Sequence, residues 1–497
     1  MTVSNGDDGA LVGLDLGTSG LKVVALGDDG QVLARARRSY ETSRPEPGAA
    51  EQMPSHWWAA TIGAVRELAA QVRPERWRGI ALSGMLPTLV ALDAAGAPVT
   101  SAITWQDARS EGPGGQLRAS IGATELYRRT GQWVDGRYLL PMMAGLALRD
   151  PAAAGQARYL CSAKDYLFSL LTGELLTDPS TATGYGCYDL TRARWDAHLI
   201  EASGHIIATG VPRLPEVHSS TTARALRADA ASELGLPVGL PVVLGAADSV
   251  LGAYGLGVRE PGDIAYVAGT STVILACRDS AATDDRHRFL VTPMADARYA
   301  AEMDLLATGS AMAWLATTLG LGGVAELAEL AQQAEPSRSP VFLPYLAPGE
   351  QGALWNPELT GALLGLTLSH GRAEVARALQ TGIVLESARC VAVLERTSGP
   401  TGQVPAPQIR AGGAAGVGQG FARDLADATG RAVRISPGEP DHSAVGAARL
   451  VGLALGQDLA DAALDAILVE PVTARRQQWD DLFAVHESAR VANSARR

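Results

Sequence analysis

LVGLDLGTSGLKVVAL, residues 11–26, is an apolar stretch that is interrupted once, by Gly17-Thr18-Ser19-Gly20. Two apolar runs on either side of a short Gly/Thr/Ser turn predict two strands that pair as a hairpin. Asp15 stands near the end of the first strand, and Lys22 stands just inside the second. Because backbone N–H groups of such a turn can face an anion and a carboxylate can hold its metal, the stretch suits a phosphate with Mg²⁺. A plain tight hairpin, in which Asp15 caps its own turn, is the competing interpretation.

A second copy of this pattern lies about half the chain later. Residues 265–277, AYVAGTSTVILAC, again place a turn, Gly269-Thr270-Ser271, between two apolar runs. A duplicated hairpin of this kind predicts two lobes of similar fold with a nucleotide held in the cleft between them. Val267 stands where Asp15 does in the first copy. We therefore expect the first hairpin alone to supply an acid.

Length and composition narrow the class of protein. The 497 residues suffice for about two or three domains, and 47% hydrophobic residues can fill a core in each. A net charge of −11 argues against a nucleic-acid partner, which needs a basic face. The longest apolar stretches are broken by Gly and Asp, so no membrane span is predicted and cytoplasm is the expected compartment. The cysteines and histidines show no metal-ligand spacing and no disulfide framework.

Further segments predict how the lobes are completed. Ser55 is expected to cap a helix, and the helical, turn-rich residues from about 111 to 235 indicate an insertion that shapes a pocket. The apolar run 241–246 predicts a buried strand that delivers Asp248 to the start of a helix. Residues 411–416, AGGAAG, stand between a predicted strand and a predicted helix, so their backbone N–H groups suit a nucleotide.

These residues, together with several other motifs, resemble the FGGY carbohydrate kinases and are nearest to xylulokinase-like members. The motifs follow the family's order from residue 11 to about residue 485: GLDLGTSGLK at 13–22, Glu51-Gln52-Met53-Pro54 with Trp57-Trp58, WQDAR at 105–109, AKDYL at 163–167, GAADSVLGAYGLG at 245–257, FLPYL at 342–346, GALLGL at 361–366, AGGAAG at 411–416 and VGAARL at 445–450.

The resemblance implies an α/β fold of two actin-like, ribonuclease H-like lobes with a duplicated core and a central cleft for ATP and sugar. The N-terminal lobe, 11–244, would bind the sugar and carry the first phosphate loop, and the C-terminal lobe, 245–485, would bind the nucleotide. The implied reaction transfers the γ-phosphoryl group of ATP, with Mg²⁺, to a hydroxyl of a small sugar. A ketopentose such as xylulose is the first expectation for the acceptor.

The resemblance also implies roles for particular residues. The ATP-binding positions would be Asp15, Gly17, Thr18, Ser19 and Lys22 in the first loop, Gly269, Thr270 and Ser271 in the second, and Gly412, Gly413 and Ala414 at the adenosine. The sugar pocket would contain Met85, Leu86, Pro87, Trp105, Asp107, Arg109 and Asp248. Asp248 would be the catalytic base, and Asp15 and Asp248 would hold the metal.

One departure from the family bears on the acceptor. Met85-Leu86-Pro87 replaces the Gln-Met-His that xylulokinases typically carry, which removes a polar pair expected to touch the sugar. Kinases of gluconate, ribulose, glycerol or erythritol type therefore stay open as alternatives. A non-catalytic protein that binds sugar or ATP on the same scaffold also stays open, although the presence of Asp15 and Asp248 argues against it. A small sugar or polyol is the expected partner, and a homodimer is the expected assembly if the chain self-associates.

Other nucleotide and nucleophile motifs fail on spacing or context. A Rossmann fold requires strand, GxGxxG and helix in one early unit, but the early turn here leads into a second strand. Ser19 and Lys22 match SxxK in letters, yet in a strand they face opposite ways. GxxxxGK of the P-loop is missing from the sequence. Lys164 and Asp165 are expected to form a structural ion pair or a helix cap.

Overall fold

The computed structural model describes residues 9–347, 352–354, 356, 358–397, 408–413, 418–436, 441–457, 459 and 466–494. The strands of the N-terminal half are β1 (Ala10–Leu16), β2 (Gly20–Gly27), β3 (Val32–Ser39), β4 (Glu51–Gln52), β5 (Trp77–Gly84), β6 (Thr88–Leu92), β7 (Ala102–Thr104), β8 (Tyr159–Cys161), β9 (Leu176–Thr177), β10 (Tyr188–Asp189), β11 (Arg194–Trp195), β12 (Glu216–Val217), β13 (Ala223–Ala225) and β14 (Pro241–Ala247). Those of the C-terminal half are β15 (Ile264–Ala268), β16 (Thr272–Arg278), β17 (Leu290–Pro293), β18 (Tyr299–Leu305), β19 (Val341–Leu343), β20 (Ala362–Leu364), β21 (Ile409–Gly413), β22 (Val433–Ile435) and β23 (Ile467–Val469).

The helices are given in the same order. They are α1 (Pro54–Gln71), α2 (Glu111–Ile121), α3 (Ala123–Thr130), α4 (Leu139–Arg149), α5 (Pro151–Gln156), α6 (Ala163–Thr172), α7 (Pro179–Thr183), α8 (Ala197–Gly204), α9 (Ala228–Leu234), α10 (Asp248–Gly255), α11 (Gly309–Thr318), α12 (Val324–Ala331), α13 (Arg372–Thr397), α14 (Gln419–Thr429), α15 (His442–Ala454) and α16 (Arg476–Ser494). Within the described ranges, none of them is long and apolar enough to cross a membrane.

Both predicted hairpins are confirmed. β1 and β2 pair antiparallel with Asp15 opposite Lys22, and the Gly17 N–H donates across the turn to the Gly20 carbonyl at 3.1 Å. β15 and β16 pair in the same way, with Ala268 opposite Thr272 next to the turn. Each hairpin is thus an apolar pair of strands that carries its Gly-Thr-Ser turn at one end.

The two large sheets repeat one topology around these hairpins. The first sheet has the order β13-β14-β5-β1-β2-β3, and the second has the order β23-β22-β21-β15-β16-β18-β17. In each, a third antiparallel strand flanks the hairpin on one side, two parallel strands follow on the other, and an antiparallel strand ends the row. The predicted duplicated α/β core is therefore confirmed, with β17 as an addition to the second copy.

Helices α10 and α15 join the two halves through close backbone contact. A Cβ added to Gly255 would lie 2.0 Å from the His442 carbonyl oxygen, and one added to Gly446 would lie 1.9 Å from the Leu251 carbonyl oxygen. On its other side α15 packs on β1, where a Cβ on Gly13 would lie 1.9 Å from the Ala444 carbonyl oxygen. A helix that lies between two strands of the second sheet in sequence, β22 and β23, thus covers the first sheet. Because these glycines have no side chain, the three elements can approach at backbone distance.

β14 pairs with β5 in the first sheet through Ala247, and α10 follows it directly. The prediction that Ser55 caps the first helix is wrong, because α1 begins at Pro54 and Met53 precedes it without a side-chain cap. Proline is favoured at a first helical position because its φ angle already fits and its missing N–H costs no bond there. Residues 111–235 are mostly helical, as predicted, but they do not all form an insertion, because β13 pairs in the first sheet and α6 and α9 pack in the core of that lobe.

Substituting Gly446 with alanine tests the contact between α10 and α15. The added Cβ meets backbone, which cannot rotate away, so the free energy of unfolding should fall by about 1–3 kcal/mol. Gly115→Ala in α2 is the matched control, since nothing lies within 4 Å of its added Cβ. That control should be neutral or gain about 0.5–1 kcal/mol. Denaturant unfolding measures both, and equal stability of the two variants would contradict the close crossing.

Candidate active site

The facing lobes enclose a cavity of about 480 Å³. Its walls come from both Gly-Thr-Ser turns, the helical insertion, the start of α10 and one face of the second sheet. The lining residues are Thr18, Ser19, Leu86, Pro87, Trp105, Gln106, Gln132, Arg137, Tyr138, Thr183, Gly184, Asp248, Ser249, Val267, Gly269, Thr270, Ser271, Val273, Leu290, Thr292, Glu302, Asp304 and Leu306. Such a volume suits a small-molecule site.

The first turn is held in place by three side chains from neighbouring segments. The Trp105 indole N–H donates to the Thr18 hydroxyl at 3.0 Å, and the Gln52 amide donates to the Thr18 carbonyl at 2.7 Å. The Tyr40 hydroxyl donates to the Gly17 carbonyl. Because the carbonyl groups of the turn are engaged on this side, Thr18 and Ser19 are presented to the cavity in a fixed conformation.

The second turn is fixed by the start of α11. The Thr270 carbonyl accepts from the backbone N–H of Ser310 at 3.0 Å and from its hydroxyl at 3.1 Å. A Cβ on Gly309 would lie 2.1 Å from the Gly269 carbonyl oxygen, so the helix starts directly against the turn. Gly269, Thr270 and Ser271 all line the cavity. The two turns thus face one space from opposite lobes, as an elongated anion such as a triphosphate requires.

Asp248 stands on the cavity wall as the first residue of α10. Its Oδ1 accepts from the Ser249 N–H at 2.9 Å, and its carbonyl accepts from the Ser443 hydroxyl of α15 at 2.9 Å. Burial and then the charge of Asp15 raise the pKa of Asp248 to about 7, and Glu302 adds to this effect. A carboxyl group in this position can accept a proton near neutral pH.

Asp15 is buried and is one of three neighbouring charged residues, Asp15, Lys22 and Asp441. Its Oδ1 accepts from the Ser83 hydroxyl at 2.8 Å, and its Oδ2 lies 3.7 Å from the Lys22 ammonium. That ammonium lies 3.8 Å from Oδ1 of Asp441, the residue before α15. Burial raises the pKa of Asp15 above its ordinary value, although Lys22 and the Ser83 hydroxyl oppose the shift. Asp15, Gly17 and Lys22 are not among the residues that line the cavity.

The predicted sugar residues divide into two groups. Leu86, Pro87 and Trp105 line the cavity. Met85 does not: it is 1% exposed and packs in the core of the first lobe. Met85 directly follows the buried strand β5 and stays in its core, and the chain then bends at Leu86 and Pro87, which line the cavity.

Asp107 and Arg109 are not brought to the cavity either. Both oxygens of Asp107 accept from the Arg109 guanidinium, which also contacts Glu46 at 2.7 Å and Glu51 at 2.6 Å. The Asp107 carboxylate accepts from the Ala50 N–H at 2.9 Å as well. The pair ties together the segments before α1 and after β7, and the neighbouring Gln106 lines the cavity instead.

The glycines predicted at the adenosine lie on β21, beside β15. Gly412 pairs with Val267 and Gly413 with Ala268. A Cβ on Gly412 would lie 2.1 Å from Nε2 of His442. Gly413 has a φ of +111°, and a Cβ on it would lie 1.9 Å from the Ala268 carbonyl oxygen. Both positions therefore require glycine. Ala414 lies outside the described residues.

Comparison with known proteins identifies the family of this chain. The N-terminal domain of the FGGY family of carbohydrate kinases matches residues 10–255, and the family's C-terminal domain matches residues 264–455. The chain belongs to this family. It is an ATP-dependent carbohydrate kinase.

The relatives of this kinase are named for different phosphate acceptors. It is 31% identical to a xylulose kinase of Escherichia coli (strain K12) over 88% of this chain and 89% of that one. It is 28% identical to a gluconokinase of Bacillus subtilis (strain 168) over 75% of this chain and 74% of that one. The solved xylulose kinase from Rhodospirillum rubrum superposes with a TM-score of 0.87 at 30% identity, over 97% of this chain and 98% of that one.

Several polar residues on the cavity wall of the kinase escaped the sequence analysis. Gln132, Arg137 and Tyr138 come from the insertion, and Glu302 and Asp304 come from β18. The sequence of β18, YAAEMDL, does indicate Glu302 and Asp304, because two acids stand two positions apart in an otherwise mostly apolar strand. Such spacing places both acids on one face of a sheet.

The expectation for Lys164 and Asp165 is confirmed. The Lys164 ammonium lies 3.0 Å from Asp165 and 3.2 Å from Asp178, and all three side chains are buried. Asp165 also takes part with Ser162 in a capping box at the start of α6. These residues are structural and do not line the cavity.

The raised pKa of Asp248 predicts a stability effect that depends on pH. Between its ordinary value of 3.8 and about 7, the folded chain binds more protons than the unfolded chain at this site, so Asp248 lowers stability as pH rises through that window. Asp248→Asn should therefore raise the melting temperature more at pH 8 than at pH 4. The exposed Asp285 supplies the control, Asp285→Asn, which should behave alike at both pH values. Thermal unfolding that shows a loss of stability at both pH values would instead indicate that Asp248 serves only to start the helix.

Proposed function

We propose that this kinase transfers the γ-phosphoryl group of ATP to a hydroxyl of a ketopentose such as xylulose, with Asp248 as the general base. One observation carries the proposal: Asp248 stands on the wall of a cavity that both Gly-Thr-Ser turns also line. The relatives named xylulose kinase support the choice of acceptor. The relatives named gluconokinase make a sugar acid the second candidate.

The residues divide the chemistry as follows. Backbone N–H groups and hydroxyls of Thr18 and Ser19 and of the second turn, Gly269-Thr270-Ser271, hold the phosphates. The Asp248 carboxylate takes the proton of the acceptor hydroxyl while that oxygen forms its bond to the γ-phosphorus. The bond from phosphorus to the bridging oxygen breaks at the same time, and ADP leaves. A base with a pKa of about 7 takes this proton without holding it at neutral pH.

Mg²⁺ would be held by Asp15 and Asp248. The donor chemistry fits, because both groups are carboxyls; Asp15 does not line the cavity, but its charge reaches Asp248 and raises the pKa of that group. Mg²⁺ takes one or two carboxylates from a protein and completes its shell with water and phosphate oxygens, so two acids suffice. When bound, the ion neutralises charge on the transferring phosphoryl group. Lys22, 3.7 Å from Asp15, would balance the carboxylate before nucleotide arrives.

The lobes would divide the substrates between them. We assign the sugar to residues 11–244, where Leu86, Pro87 and Trp105 offer an apolar surface to a sugar face. The adenosine would lie against residues 245–485, near Gly412, Gly413 and Ala414. The space that side chains at the first two positions would take is already filled, by the His442 ring beside Gly412 and by the Ala268 carbonyl beside Gly413, so a larger residue at either position would displace the end of β21.

Replacing Asp248 with asparagine tests the general base. A positioned base contributes about 10²- to 10⁴-fold to the rate, so kcat should fall by that factor while ATP binding changes little. Steady-state ADP release with xylulose gives kcat, and calorimetric titration gives the nucleotide affinity. The exposed-site variant Asp285→Asn should retain both values. A kcat near that of the unsubstituted kinase would remove Asp248 from this role.

A further inference from the structure

One face of the second sheet forms a wall of the cavity, and it carries two acids. Glu302 and Asp304 on β18 stand two residues apart, so both point from the same face. The Thr292 hydroxyl of β17 donates to Oε2 of Glu302 at 3.2 Å, and Val273 of β16 lies opposite Asp304. All four side chains line the cavity. A carboxylate on an otherwise apolar sheet face costs desolvation energy, which a hydrogen-bonded ligand can offset.

Leu86 and Pro87 of the first lobe offer little to a hydroxyl group. They line the cavity with hydrocarbon at the place where the xylulokinase pattern carries a polar pair. Each sugar hydroxyl that enters the cavity must find a partner, since an unpaired polar group in a closed site lowers affinity. On the sheet of the second lobe, Glu302 and Asp304 line the same cavity and can accept hydrogen bonds from such hydroxyls. Part of the polar recognition of the acceptor then falls to the second lobe, beside the polar residues of the first.

The charges on the wall distinguish between classes of acceptor. Asp248, Glu302 and Asp304 bring three carboxyl groups to the cavity, whereas Arg137 is the one Lys or Arg among the described lining residues. The Arg137 guanidinium is already held by Asp135, with Nε 3.1 Å from Oδ1 and Nη2 2.7 Å from Oδ2. The excess of carboxyl groups repels an anionic acceptor. A neutral acceptor instead donates its O–H groups to these oxygens.

We propose that Glu302 and Asp304 are the residues that select the acceptor, by accepting hydrogen bonds from hydroxyls of a neutral ketose or polyol and by excluding sugar acids. The proposal deepens the proposed function and rests on it for the position of the sugar. It assigns xylulose, and not gluconate, to the class that this cavity takes.

Calorimetric titration of xylulose and of gluconate, in the presence of Mg-ADP, tests this assignment without relying on turnover. A hydrogen bond to a charged group corresponds to about a 10- to 100-fold change in affinity. Glu302→Gln and Asp304→Asn should each weaken xylulose binding by that factor while the affinity for ADP is retained. The double variant should also narrow the preference for xylulose over gluconate, because two like charges have been removed. Glu329→Gln, on the exposed face of α12, removes an acid of the same lobe outside the cavity and should change neither affinity.

Three outcomes would overturn the assignment. They are tighter binding of gluconate than of xylulose by the unsubstituted kinase, unchanged xylulose affinity in both single variants, and the binding of neither compound. Melting temperatures of the variants show whether each is folded, and both substitutions keep the shape of the side chain. If xylulose binds as expected but no ADP is released, the proposed function fails while the assignment of these two residues stands.

Discussion

The backbone contact between α10 and α15 is the constraint on which the active site depends. Because Gly255 and Gly446 carry no side chain, the two helices cross at a distance that alanine would prevent. Their first turns consequently lie together, where the Ser443 hydroxyl of α15 holds the Asp248 carbonyl of α10. The same crossing brings Asp441, just before α15, within 3.8 Å of Lys22. One pair of helices thus positions both Asp248, the proposed base, and Asp441, the negative charge that faces Lys22 of the first hairpin.

The site concentrates carboxyl groups that are unfavourable for the empty fold. Burial raises the pKa values of Asp15 and Asp248 despite the Lys22 and Ser83 partners of Asp15 and the Ser249 N–H that donates to Asp248, so a bound cation would favour the charged form of both groups. Elsewhere the kinase pairs its buried acids inside the protein, as Asp165 and Asp178 show with Lys164. Buried acids that are paired with Lys164 stabilise the fold, whereas the acids that line the cavity can bind ligands. The proposed function therefore rests on the acids of the cavity wall.

Sequence patterns could predict the hairpins, the duplicated core and the place of Asp248 at the start of a helix. Each depends on local alternation and turn chemistry that short stretches of sequence specify. Contacts between distant segments could not be predicted in this way. Arg109 belongs to a motif that matches the family and Met85 to one that departs from it, yet Met85 packs in the core beside the end of β5, and nearby acids engage Arg109. Glu302 reaches the cavity only because β18 pairs with β16 beside the second turn, a register that no local pattern specifies.

The central claim is that the cleft between the two turns, with Asp248 on its wall, directs the phosphoryl group to a sugar hydroxyl and not to water. Phosphorus-31 NMR of the kinase with ATP, Mg²⁺ and xylulose measures this most directly, because it resolves ADP, sugar phosphate and inorganic phosphate in one spectrum. The account predicts that sugar phosphate and ADP appear in equal amounts with almost no inorganic phosphate. Accumulation of inorganic phosphate in place of sugar phosphate, or an unchanged ATP signal, would contradict it.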